Sequence, residues 1–321
     1  MSEHDLSIEN QTPPGDKGWE RNVIERLALA ALTEQQRARR WNIFFKLLLF
    51  IYLFILLFLF LSEGWEEGGI SAEKHTALIE IEGVIGYDKQ ASADNVVAGL
   101  RAAFKNPKTR AVILRINSPG GSPVQSGYIN DEIFRLRKLH PDIKVYAVIT
   151  DICASGGYYI ASAAHQIYAD KASLVGSIGT VMDGFGFVGT LEKLGIERRL
   201  WAAGEHKGFL DPFSPLRPED VSHIHGLLKE VHQQFIDIVK KGRGERLNED
   251  PSLFTGLVWT GEQGLKLGLV DALGSSSYIA REVVHAERIV DFTERGDYLD
   301  RLTKRLGTVA ARVLTATPVL R

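Results

Sequence analysis

Ser155 stands in the run Ala154-Ser155-Gly156-Gly157, shortly after the apolar stretch IKVYAVIT (Ile143–Thr150) and before YYIASAA, a helix-like sequence. A serine hydroxyl is a poor nucleophile until a neighbouring base takes its proton. Acyl transfer also needs donors aimed at the oxyanion that develops. A serine at a strand-to-helix turn answers part of the second need, because the Gly156 N–H then opens a helix, where negative charge is favoured. A second pair, Gly120-Gly121, follows the apolar stretch AVILRI (Ala111–Ile116). With no Cβ, either residue can bring a bare N–H close to a ligand. Taken singly each pair reads as a tight turn; at adjacent strand ends the two together predict an oxyanion hole.

The base is harder to read from spacing. Nine histidines are present, none in a recognisable triad motif, with His165 and His206 nearest in sequence to the candidate loops. A lysine can replace histidine where burial lowers its pKa from about 10.4. Lys207, in AAGEHKGFLDPFSP with Phe209, Phe213 and Trp201 nearby, is a candidate, although spacing alone favours a solvated surface residue. The single cysteine, Cys153, has no flanking charge and reads as a small buried residue rather than a nucleophile. It also excludes an internal disulfide.

These residues must be positioned by a scaffold, and the pattern after residue 75 supplies one. Thr76–Gly83, Ala111–Ile116 and Ile143–Thr150 read as strands. Val96, Val97, Leu100 and Phe104 mark one helix, and a second is expected from about Gln125 to Leu139. Such alternation predicts an α/β domain with a mostly parallel sheet covered on both faces, its sites at the carboxyl ends of strands. Further on, Ile196–Trp201 (IERRLW) is strand-like. Pro218 opens a long helix with the stripe Val221, Ile224, Leu228, Val231, Phe235 and Ile238. Leu299, Leu302, Leu306, Val309 and Val313 repeat that spacing near the end, weakened by Gly307.

Ahead of the domain, Ile43–Leu61 is apolar with Lys46 its only charge. As a helix it would span about 28 Å, close to the hydrocarbon core of a bilayer. A cleaved signal peptide is the alternative, but Glu63-Gly64-Trp65-Glu66-Glu67 offers no small-x-small cleavage site. Arg37, Arg39, Arg40 and Lys46 lie on the near side and Glu63, Glu66, Glu67 and Glu73 on the far side. That asymmetry predicts a cytoplasmic N-terminus and an external catalytic domain, periplasmic in a Gram-negative cell. The expected division is a polar cytoplasmic segment 1–42, an anchor 43–62, a linker 63–74, a catalytic domain 75–285 and a C-terminal extension 286–321. Lys plus Arg number 38 against 40 Asp plus Glu, net −2, without the basic surplus of a nucleic-acid binder.

The motifs Arg115–Gly121 (RINSPGG), Ala154–Ala164 (ASGGYYIASAA), Leu174–Val181 (LVGSIGTV), Gly204–Pro215 (GEHKGFLDPFSP) and Trp259–Gly274 (WTGEQGLKLGLVDALG) occur in this order. Together they resemble the signal peptide peptidase A family of serine–lysine peptidases, in its short, single-domain form, over roughly residues 75–285. The resemblance implies a ClpP/crotonase-like fold, Ser155 as nucleophile and Lys207 as general base. It implies no cofactor and no metal. It also implies a homo-oligomer whose sites combine serine and lysine from neighbouring subunits, and a hydrophobic peptide substrate, the remnant signal peptide. Ser177 is a candidate for orienting the lysine amine, with a turn or cap role equally open. Rival readings are a quality-control protease of the same family, a crotonase-like acyl-CoA enzyme, and a non-enzymatic scaffold on a retired protease fold.

Overall fold

A computed structural model describes residues 17–67 and 73–295. The polar stretch before residue 17 and the periodic C-terminal stretch from Leu299 to Val313 lie outside the described residues. The chain divides into two units, Met1–Ile70 and Ser71–Arg321.

In the first unit a single helix, α1 (Lys17–Glu67), runs through the residues expected to form the anchor, 43–62, and beyond them on both sides. The reason is local: between Gly18 and Gly64 it contains neither Pro nor Gly to break it. At 51 residues it is about 75 Å long. Within it the stretch Ile24–Phe58 contains an 18-residue window, of mean hydropathy 2.3, long and apolar enough to cross a membrane.

The second unit is built on an eight-stranded sheet. In chain order its elements are β1 (His75–Glu82), α2 (Ala93–Lys105), β2 (Thr109–Ser118), α3 (Pro123–Leu139), β3 (Lys144–Ala154), α4 (Gly156–Ala161), β4 (Gln166–Ala169) and β5 (Leu174–Gly176). There follow α5 (Val188–Lys193), α6 (Pro218–Arg243), β6 (Val258–Thr260), α7 (Gly261–Leu267), β7 (Ala272–Leu273), α8 (Ser276–Tyr278) and β8 (Ile289–Asp291). The order β6-β5-β3-β2-β1-β8 is parallel throughout except for the antiparallel pair β5–β6, and β4 pairs in parallel with β3 and β7.

Successive residues of the central strands go to opposite faces. Ile79, Leu114 and Ala147 join the core under α2, α3 and α4, while Leu78, Ile113 and Tyr146 join a smaller one with Ile279. Burial on both faces explains why these strands read as unbroken apolar runs. β3 outlasts the expected Thr150 because it changes partner: Tyr146–Ile149 pair with β4 and Ile152–Ala154 with β5. That hand-over carries the chain to Ser155. Ile196–Trp201, by contrast, forms no strand, because no strand edge among the described residues pairs with it.

α3 starts where Ser122 accepts from the Gln125 N–H and Pro123 takes the first turn. α6 uses its stripe unevenly. Phe235 is buried, whereas Ile224, Leu228 and Val231 are half-buried and Val221 is exposed.

Candidate active site

β3 ends at Ala154 and α4 begins at Gly156, so the chain reverses through Ser155 alone. Its backbone is at φ 51°, ψ −122°, where a side chain is rarely tolerated. Two bonds fix it there: Ser155 N–H donates to Gly176 O at 2.9 Å, and Tyr159 N–H donates to Ser155 O at 2.9 Å. Gly120, at φ 107°, fills the space beside it. A Cβ on Gly120 would lie 2.7 Å from the Ser155 Cβ and 2.9 Å from Gly156 N.

Two backbone N–H groups without an acceptor lie at this turn. As the first residue of α4, Gly156 has an N–H with no intrahelical acceptor. Gly121 N lies 3.3 Å from where a Cβ on Gly156 would sit, and its N–H has no acceptor among the described residues. The Gly120 N–H is already committed to Ser118 Oγ at 3.1 Å. The strand-like contact that sets this loop runs through Ile85, which donates to Gly120 O and accepts from Ser122 N–H, both at 2.9 Å.

Ser177 follows Gly176, the residue that accepts from Ser155, and sits at φ 52° with its N–H donating to Leu257 O at 2.7 Å. Its backbone therefore belongs to the same cluster of loops. Cys153 is fully buried, and burial pushes its thiol well above the ordinary range, consistent with the structural role read from the sequence. His165 is elsewhere: its Nδ1 accepts from Val145 N–H at 3.0 Å. His206 Nδ1 is bonded to Asp220 at 2.9 Å. No metal-binding group of His, Cys, Asp and Glu occurs among the described residues.

No hydrogen bond joins Lys207 to Ser155 among the described residues. Lys207 lies exposed in a turn in which its N–H donates to Gly204 O at 3.1 Å. Its amine makes no hydrogen bond or ion pair among the described residues. The loop is held from both sides of it. His206 reaches Asp220, which Arg217 also binds at 2.9 Å, and Asp211 accepts from Ser214 Oγ at 2.6 Å and Arg198 Nε at 3.2 Å.

Ser155, Gly156 and Gly121 open onto a cleft of about 380 Å³ between α3, α4 and α6, which Lys207 does not line. Its walls include Val124, Gly127 and Asp131 of α3, which sequence reasoning passed over. Their spacing of three and four places them on one helix face, a signal that α3 looks along the serine loop.

Residues 137–289 match peptidase family S49, a stretch that contains Ser155 and Lys207. A putative protease of Synechocystis is 34% identical over 206 residues, 64% of this chain and 72% of that protein. The chain belongs to peptidase family S49. Another relative of this S49 chain is a putative signal peptide peptidase SppA of Enterococcus faecium, 29% identical over 239 residues, 72% of this chain and 68% of its own length. These relatives place the chain in the signal peptide peptidase A family that its motifs resemble. A protein of Brucella abortus named as the Na(+)/H(+) antiporter NhaA is 46% identical over 183 residues, 57% of this chain. The S49 chain spans about a quarter of the length of that Brucella protein.

Proposed function

We propose that this chain is a membrane-anchored serine endopeptidase in which Ser155 is the nucleophile and Lys207 of a neighbouring copy is the general base. The observation that carries the proposal is the Ser155 turn, strained and flanked by the free N–H groups of Gly156 and Gly121. Backbone strain of this kind persists where surrounding structure fixes it, and it clusters at reacting groups.

In the proposed reaction the neutral amine of Lys207 takes the Ser155 proton as Oγ bonds to the peptide carbonyl carbon. The Gly156 and Gly121 N–H groups hold the resulting oxyanion. The C–N bond then breaks, the Lys207 ammonium returns the proton to the leaving amine, and water hydrolyses the acyl-enzyme. Ser177 is available to orient the amine. Family membership supports the ClpP/crotonase-like fold, the homo-oligomer and remnant signal peptides as substrates. The apolar stretch of α1 supports anchoring through residues 43–62, and the charge asymmetry supports a cytoplasmic N-terminus with the catalytic domain outside the inner membrane.

The full-length protein in detergent, given fluorogenic peptides, tests this. Ser155→Ala and Lys207→Ala should each lower kcat by at least about 10³, while both variants retain the wild-type melting temperature. Cleavage by Ser155→Ala at the wild-type rate would remove the nucleophile and the proposal with it.

A further inference from the structure

We infer that the cleft beside Ser155 is a specificity pocket for a long basic side chain, with Asp131 as its charge-selecting residue. The inference rests on the peptidase reading above. It concerns the side chain of the residue whose carbonyl Ser155 attacks. That side chain branches one bond from the carbonyl carbon, so it must enter whatever space adjoins both the nucleophile and the oxyanion donors. The only described cleft that does so is the one whose lining includes Ser155, Gly156 and Gly121 together.

The wall chemistry is uneven. Val124, Tyr159, Val231 and Phe235 make it apolar, and Tyr159 and Phe235 pack ring to ring, centroids 5.1 Å apart. Asp131 supplies its only full charge. Its carboxylate forms no ion pair among the described residues, although two arginines lie close along the fold: Arg101 and Arg135 both go to Glu132 instead. The remaining polar groups, such as Thr180 and Gln234, are neutral. Burial, and after it the charge of Asp131, raises the Tyr159 phenol above its ordinary value. An apolar wall with one unpaired anion complements an alkyl stem carrying a cation, the chemistry of lysine and arginine side chains. The same anion repels acidic side chains.

Gly127 sets the width. It sits inside α3, where glycine is a poorer helix former than alanine, yet a Cβ built there would meet nothing within 4 Å. The missing side chain leaves the cleft open between Val124 and Asp131.

The test compares kcat/KM of the full-length enzyme on peptides differing only at the residue before the scissile bond: lysine, its neutral isostere norleucine, glutamate or alanine. Each rate is corrected with Ser155→Ala. Wild type should favour lysine over norleucine by about fivefold and cleave the glutamate peptide worst. Asp131→Asn should bring lysine and norleucine to parity while norleucine cleavage stays within about twofold of wild type. Gly127→Leu should suppress cleavage after both long side chains and spare the alanine peptide. Equal lysine and norleucine rates in wild type, or an unchanged ratio in Asp131→Asn, would overturn the inference while leaving Ser155-dependent cleavage intact. If assembled wild type cleaves none of the peptides, the peptidase reading fails and this inference fails with it.

Discussion

At φ 51° and ψ −122° Ser155 stores about 1–3 kcal/mol of backbone strain, and the residue that makes the turn possible is Gly120. A methyl group there would strike the Ser155 Cβ, Ala154 O and Gly156 N at 2.7–2.9 Å, at a φ that already disfavours any side chain. Gly120→Ala should therefore move the nucleophile and the Gly156 donor together. The expected outcome is a kcat lowered by about 10² or more with a lower melting temperature, whereas Ser155→Ala leaves the melt unchanged. Steady-state kinetics and circular-dichroism melts on the two variants check the contrast. The two Gly-Gly pairs were legible as candidate donors because glycine next to a candidate nucleophilic serine has a chemical reason. The division of labour between Gly120 and Gly121 was not legible. It depends on Ser118 Oγ having taken the Gly120 N–H, a contact that only the folded loop creates.

Among the elements, the long ones announced themselves. β1, β2 and β3 are long enough to read as apolar runs, and α2, α3 and α6 carry enough residues for a period to emerge; Ser92 and Ser122 cap the starts of α2 and α3, and Pro218 takes the first turn of α6. The strands β4 to β8 have two to four residues each, too few to show alternation, and exist because an edge is there to pair with. Where they meet α3 and α6, a polar cluster ties the elements. Arg243 binds Asp271 through two bonds of 2.8 and 2.9 Å, and Asp271 also accepts from the Ile167 N–H of β4 at 2.7 Å. Beside it His165 accepts from Val145 of β3. Burial first, then the charges of Arg137 and Lys144, lowers its pKa from the ordinary 6.5 to about 4. The unfolded chain therefore binds one more proton than the folded chain between those values, so this contribution is complete above pH 6.5 and is lost as pH falls toward 4. Glu132, held at about 2 by its bond from Arg135 against the cost of burial, adds a loss that begins lower, below its ordinary 4.5. Calorimetric melts should fall from pH 6.5 downward, and His165→Gln should flatten the curve between 6.5 and 4.5 while leaving the steeper fall below it. An unaltered slope in that variant would assign the acid sensitivity to the carboxylates alone.

Across the catalytic unit as a whole, one stretch is poorly covered by its own chain. Between β5 and α6 there is only α5, and Phe185 and Trp201 are 80% and 89% exposed, with Leu216 and the first half of the α6 stripe beside them in sequence. Apolar exposure on this scale marks an interaction surface. It also surrounds Lys207, whose amine is unengaged, while Ser155 waits in a cleft that this lysine does not line. The proposed arrangement would answer both incompletenesses: copies related by a head-to-tail contact, each lending its Lys207 loop to the next copy's serine, would close into a ring when the rotation permits. Such an arrangement makes a quantitative demand that a site complete within one chain does not. Ser155→Ala retains every lysine and Lys207→Ala every serine, so each pure preparation is inactive. Unfolded together in equal amounts and reassembled, they should regain about a quarter of wild-type activity, since half the serines are intact and half of those face an intact lysine. Size-exclusion chromatography with light scattering would show whether the mixed species has the mass of the wild-type assembly. A mixed assembly of full mass with no recovered activity would place serine and lysine of the working pair on the same chain. It would then require the Lys207 loop to travel to its own Ser155.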